Sequence, residues 1–250
     1  MIRFYVHALL ISVFGFVNAS SAESYKIDEL VRMTNDVNEY KGGMLFSPNN
    51  QPLKQKGLVR FDTSREIPLY FVQEMNGEIP QEILVAVERV EQLLGNIFSD
   101  FKTLRYDTSS EFNAASFSQT TGVSGGLVVS VGTGYSNSND LSISQSSCAN
   151  VGVGPNTGNL FFWVDPETGL YLENTILWIN IGRDQCEWDV DLVVHEFAHA
   201  LGMFKHIDCV FSDGSQNTQC QPAPSWSPKA EEVLRAIYRN SANTPYSALQ

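Results

Sequence analysis

The chain has 250 residues, and 43% of them are hydrophobic, enough to bury the core of one domain or at most two. Its formal net charge of -12 argues against nucleic acid or anionic membrane as the main partner, because both are gripped by basic surfaces.

The first 22 residues read as a secretory signal peptide. Arg3 precedes an apolar run from Phe4 to Val17, and Ser20 and Ala22 form a small-x-small cleavage site. The run is short for a bilayer span, and nothing later is long and apolar enough to cross one. The mature protein is therefore expected outside the cytoplasm, secreted or periplasmic, with no membrane span. Residues 23–58 are mixed and polar, with "SPNNQPLKQKG" reading as loop, and form an N-terminal arm or a pro-segment. The main domain is expected over residues 59–250.

Within it, "EIPLYFV" (66–72) predicts a strand, with Pro68 at its entry or on a sheet edge. "PQEILVAVERVEQLLG" (80–95) predicts a helix: Pro80 suits a first helical position, and Ile83, Val87, Val90 and Leu94 fall on one stripe. "GGLVVSVG" (125–132), "NLFFWVD" (159–165) and "TILWINI" (175–181) are short apolar runs bounded by turn residues, hence strands. The Gly/Ser/Asn-rich stretch 132–158 reads as loop. Its "GVGPNTG" is no phosphate loop, since Pro155 interrupts it and no helix follows.

A second helix is expected over "DVDLVVHEFAHALG" (189–202), capped by Asp189 or Asp191 and ended by Gly202. A third, "SPKAEEVLRAIY" (227–238), has Ser227 as its cap, Pro228 in its first turn, and Ala230, Val233, Leu234, Ile237 and Tyr238 on its buried face. Strands, an early helix and two late helices together predict an α+β domain. The four cysteines, Cys148, Cys186, Cys209 and Cys220, should form two disulfides in an exported protein. We expect Cys209–Cys220 to close the polar loop "VFSDGSQNTQ", which leaves Cys148 with Cys186.

The chemistry concentrates in "VVHEFAHALGMFKH" (193–206). On a helix His195 and His199 lie one turn apart on one face, so two imidazoles can reach one metal at about 2.0–2.1 Å. Glu196 sits beside that face, placed to take a proton from a water activated there. The chain has four histidines; His7 leaves with the signal peptide, and the other three are His195, His199 and His206. Histidines confined to one short window point to a metal site. Gly202 lets the chain leave the helix with positive φ and fold a third ligand back.

This arrangement resembles the metzincin zinc peptidases, whose motif is His-Glu-x-x-His-x-x-Gly-x-x-His; "HEFAHALG" (195–202) matches it up to the glycine. The resemblance implies a zincin catalytic domain of matrixin-like layout, with a twisted mixed sheet, an active-site helix and a C-terminal helix. It also implies a zinc-dependent endopeptidase acting on protein or peptide, most simply as a monomer. His195 and His199 would be zinc ligands, Glu196 the general base, and "TILWINI" or "GGLVVSVG" the edge strand that aligns substrate.

Two departures stand out. The family's third histidine falls at Lys205, one position before His206, and no methionine turn follows, since Met203 is the last methionine. An ammonium has no lone pair, so Lys205 is a poor ligand. His206 is the expected third ligand. Asp208 is the competing ligand, or else the acceptor of a ligating imidazole's spare N–H. Two rival readings remain open. A gluzincin-type peptidase would take its third ligand from Glu231 or Glu232 on the last helix. A secreted binding module would hold structural zinc with three histidines and Asp208. A serine hydrolase is disfavoured, because the mature chain's histidines are all committed to the window 195–206 and none remains for a catalytic triad.

Overall fold

A computed structural model describes residues 25–38, 43–72, 78–107, 113–132, 148–154, 160–182, 187–212 and 225–250. The expected signal peptide, Cys186 and Cys220 lie outside the described residues. In chain order the elements are α1 (Ile27–Asn35), β1 (Gly43–Phe46), β2 (Pro52–Leu53), β3 (Leu69–Val72), α2 (Gln81–Leu94), β4 (Lys102–Leu104), α3 (Ala114–Thr121), β5 (Gly126–Val131), β6 (Ala149–Gly152), β7 (Leu160–Trp163), β8 (Ile176–Ile181), α4 (Val190–Ala200) and α5 (Pro228–Arg239). The architecture is mixed α and β, as the sequence predicts.

The main sheet has the order β4-β3-β5-β8-β6. Its first four strands are mutually parallel, and β6 runs antiparallel to β8 at the edge. The parallel strands are nearly continuous apolar runs because both faces of the sheet are covered. Alternation sorts their side chains. Leu69, Phe71, Leu127, Val129, Leu177, Ile179 and Ile181 enter the large core shared with α2 and α4. Val72, Val128 and Trp178 face the other way and pack with Phe117 of α3. A smaller mixed sheet, β2-β1-β7, adds Leu45, Leu160 and Phe162 to the large core.

Two expectations need correction. "GGLVVSVG" and "TILWINI" become β5 and β8, which are interior strands with both neighbours bonded, so neither offers an edge to a substrate. The edges of the main sheet are β4 and β6, and β6 lies inside the stretch 132–158 that reads as loop. Its four residues, Ala149–Gly152, carry little strand propensity of their own and owe their pairing to β8. Residues 23–58, expected as an arm or pro-segment, contain α1 and β1, and Leu30, Val31 and Leu45 are core residues.

The helices that carry the site begin as the sequence predicts. Asp189 caps α4 by accepting the backbone N–H of Leu192 at 2.9 Å, and Ser227 caps α5 by accepting that of Ala230 at 3.1 Å. Arg89 on α2 ties these helices together, reaching Asp191 of α4 at 2.6 Å and Glu231 of α5 at 3.0 Å. Cys148 and Cys209 are both disulfide-bonded. The expected pairings fall on Cys186 and Cys220, which lie outside the described residues.

Candidate metal centre

Every residue of α4 from Val193 to Ala200 is buried, because one face packs on the sheet and α2 while the other lines the site. His195 and His199 sit one turn apart on that second face. The chain then turns sharply at Gly202, whose φ is +119°. A Cβ at this position would approach Asn35 Nδ2 and the Val59 carbonyl to 3.1 Å each. Backbone conformation and space both demand glycine here. Gly202→Ala is expected to cost about 1–3 kcal/mol of stability, read as a lowered denaturation midpoint.

Beyond the turn, His206 comes back to the helix. Its Nε2 lies 3.1 Å from Nε2 of His195 and 3.1 Å from Nε2 of His199. Within this group, each histidine offers a ring nitrogen within 4.8 Å of the others. Neither Lys205 nor Asp208 belongs to the group, and Asp208 is exposed. The loop thus absorbs the extra residue between Gly202 and the third histidine of the group.

The ring orientations are fixed from behind. His195 Nδ1 donates to the carbonyl of Ser225 at 2.7 Å, and His199 Nδ1 donates to the carbonyl of Met203 at 2.6 Å. A carbonyl can only accept, so in both rings the neutral tautomer carries its proton on Nδ1 and turns a lone pair inward from Nε2. The acceptor role expected of Asp208 is therefore filled for these two rings by backbone carbonyls. Burial, then the neighbouring His195 and His206, hold the pKa of His199 well below its ordinary value, which keeps that lone pair available.

Among the three rings only His206 Nε2 can carry a proton toward the others, and one proton serves two acceptors poorly. A cation at the meeting point serves all three. Tetrahedral bonds of about 2.0–2.1 Å place neighbouring donors about 3.3–3.4 Å apart, close to the separations here. The group can hold a metal ion. No protein-family model matches the chain, and no curated protein matches it either. What the centre can do must therefore be read from its own residues.

An aromatic floor lies under the three imidazoles. The ring of Phe211 is 4.1 Å from that of His195, 4.7 Å from His199 and 5.5 Å from His206, centroid to centroid. Phe211 closes a tight turn in which Ile207 and Phe211 exchange backbone hydrogen bonds of 2.8 and 2.9 Å, with Cys209 at φ +63°. Ser227 anchors the turn from α5 by donating to the Val210 carbonyl at 2.7 Å, and Trp226 packs edge-on against Phe211. One feature of the sequence signals this floor: Val210 and Phe211 open a loop that otherwise reads as polar, and both are buried.

Glu196 is also buried, at 4% exposure. The downstream glutamates lie elsewhere. Glu231 is engaged by Arg89 and by Trp226 Nε1 at 3.4 Å, and Glu232 pairs with Lys229 at 2.8 Å. Neither belongs to the histidine group. Glu231→Gln is accordingly expected to leave metal stoichiometry unchanged, as elemental analysis of the purified variant would show.

Proposed function

We propose that the protein is an exported zinc-dependent endopeptidase, with His195, His199 and His206 as zinc ligands and Glu196 as general base. The observation that carries this reading is the convergence of three imidazole nitrogens, two of them from a helix on which a buried glutamate directly follows the first histidine. A purely structural site is usually closed by a fourth protein ligand and has no use for that carboxylate.

When bound, zinc supplies Lewis acidity, which brings a water to a pKa of about 7 and polarises a carbonyl. The remaining work falls to the chain. The carbonyls of Ser225 and Met203 hold the two helical imidazoles in one tautomer, so that no ring rotation accompanies turnover. The carboxylate of Glu196 accepts the proton of the attacking water and later returns it to the leaving amine. Phe211 and Trp226 keep the underside of the site apolar, which strengthens electrostatic interactions within it. Strand β6 packs against α4 at the sheet edge and is the element we assign to aligning an extended peptide through main-chain hydrogen bonds.

The resemblance to metzincins adds the endopeptidase reading, and the sequence of residues 1–22 adds export. The experiment is cleavage of a mixed peptide library, followed by mass spectrometry, before and after chelation. Cuts at internal bonds that vanish on chelation and return with zinc support the proposal. Unchanged cutting by metal-free protein, or no cutting by zinc-loaded protein, refutes it.

A further inference from the structure

The loop that carries His206 is held from outside the catalytic helix. Its backbone is bonded to the end of α1. Thr34 offers its carbonyl to two successive N–H groups, those of Phe204 at 2.9 Å and Lys205 at 3.1 Å. The Thr34 hydroxyl donates to the Lys205 carbonyl at 2.6 Å. Next along α1, Asn35 Nδ2 donates to the Gly202 carbonyl at 2.8 Å and to that of Val59 at 2.9 Å.

That anchor is itself braced. Asn35 Oδ1 accepts from the Val59 N–H at 3.1 Å, from Gln55 Nε2 at 3.0 Å and from the Tyr246 hydroxyl at 2.9 Å. Thr34 and Asn35 are both fully buried. Buried side-chain amides and hydroxyls with this many partners fix one conformation, because any other leaves polar groups unsatisfied. Residues 202, 204 and 205 are thus pinned to α1, and the imidazole that follows emerges from a fixed platform.

This also accounts for the unusual spacing. Two helix-side backbone positions, 204 and 205, are taken up by contacts with α1, and the next residue is the first whose side chain swings back to His195 and His199. We propose that the C-terminal turn of α1, through Thr34 and Asn35, positions the third-ligand loop and thereby sets the metal affinity of the site. The proposal rests on the zinc reading above.

The test compares four full-length proteins expressed with their export signal: wild type, Thr34→Val, Thr34→Ser and Leu30→Ala. Zinc affinity is measured by competition with a chromophoric chelator, well below each denaturation midpoint. Ligand geometry is read from the visible absorption of the cobalt-substituted forms. Thr34→Val preserves shape and removes the hydroxyl, so zinc affinity should fall about tenfold and the cobalt bands should shift, in keeping with the loss of a group that orients a ligand. Thr34→Ser should restore both. Leu30→Ala empties core volume one turn earlier without touching a hydrogen bond to the loop; it should lower thermal stability further and leave zinc affinity within about twofold.

Wild-type affinity and spectrum in Thr34→Val overturn the proposal, as does an equal affinity loss in Leu30→Ala, which would make the effect one of general stability. Wild-type protein that takes up no stoichiometric zinc or cobalt overturns the metal reading and this proposal with it. The first two outcomes leave the metal reading standing.

Discussion

Glu196→Gln is expected to keep its zinc and lose turnover by about 10²–10⁴-fold, equivalent to about 2.7–5.5 kcal/mol of transition-state stabilisation. The substitution is chosen because Glu196 is buried in a tightly packed helix, where only an isosteric replacement leaves the neighbours undisturbed. Glutamine fills the same volume, and its amide cannot accept a proton at neutral pH. The proposed ligands His195 and His199 keep their Nδ1 partners, the carbonyls of Ser225 and Met203. The loss should therefore appear in kcat, with unchanged zinc content and an unchanged denaturation midpoint. A variant that loses zinc in proportion to activity would mean that Glu196 supports the ligands instead of moving a proton.

His206→Ala is expected to cost more in metal binding than any other single change outside α4. Two imidazoles on one helix turn remain, and a two-nitrogen site lacks the third vertex that closes three sides of a tetrahedron. The fold should survive, because the loop is held by backbone hydrogen bonds from Thr34 and by the Ile207–Phe211 turn, neither of which uses the imidazole. Zinc affinity should drop by at least about 10³-fold, beyond the 10–100-fold range typical of groups that merely orient a ligand. Asp208→Ala is the matched control. Asp208 is exposed and outside the histidine group, so its removal should change zinc affinity by less than about tenfold. The reverse order of effects would assign the third vertex to Asp208.

The parts of the fold that could be read from sequence are those whose side chains follow one periodicity and bury one face. Helix α2 follows its apolar stripe, with Ile83 and Val90 buried as expected and Ala86 joining them. Helices α4 and α5 begin at their capping residues, Asp189 and Ser227. Helix α1 escaped notice for the opposite reason: two of its four buried residues, Thr34 and Asn35, are polar. Their burial is satisfied by partners at residues 55, 59, 202, 205 and 246, a set that no local window contains. Strand β6 escaped because Asn150 and Gly152 carry no strand signal, and only the ladder to β8 defines it.

The same division runs through the site. The three histidines were visible because ligand chemistry restricts residue type. His206 is preferred over Lys205 because an ammonium has no lone pair and the turn at Gly202 allows one residue of slack, and the structure brings His206 into the group. The supporting groups were not visible, because two of them are backbone carbonyls, at Ser225 and Met203, and a carbonyl leaves no mark on sequence. Phe211 could be anything apolar and planar until three imidazole rings are seen resting on it.

X-ray absorption at the zinc edge of the purified mature protein tests the central claim most directly. The account predicts one zinc per chain, three imidazoles at about 2.0–2.1 Å, one further light atom and no sulfur, with the same spectrum in Asp208→Ala. Absence of zinc, a sulfur scatterer at about 2.3 Å, or a spectrum that changes on removal of Asp208 would contradict it.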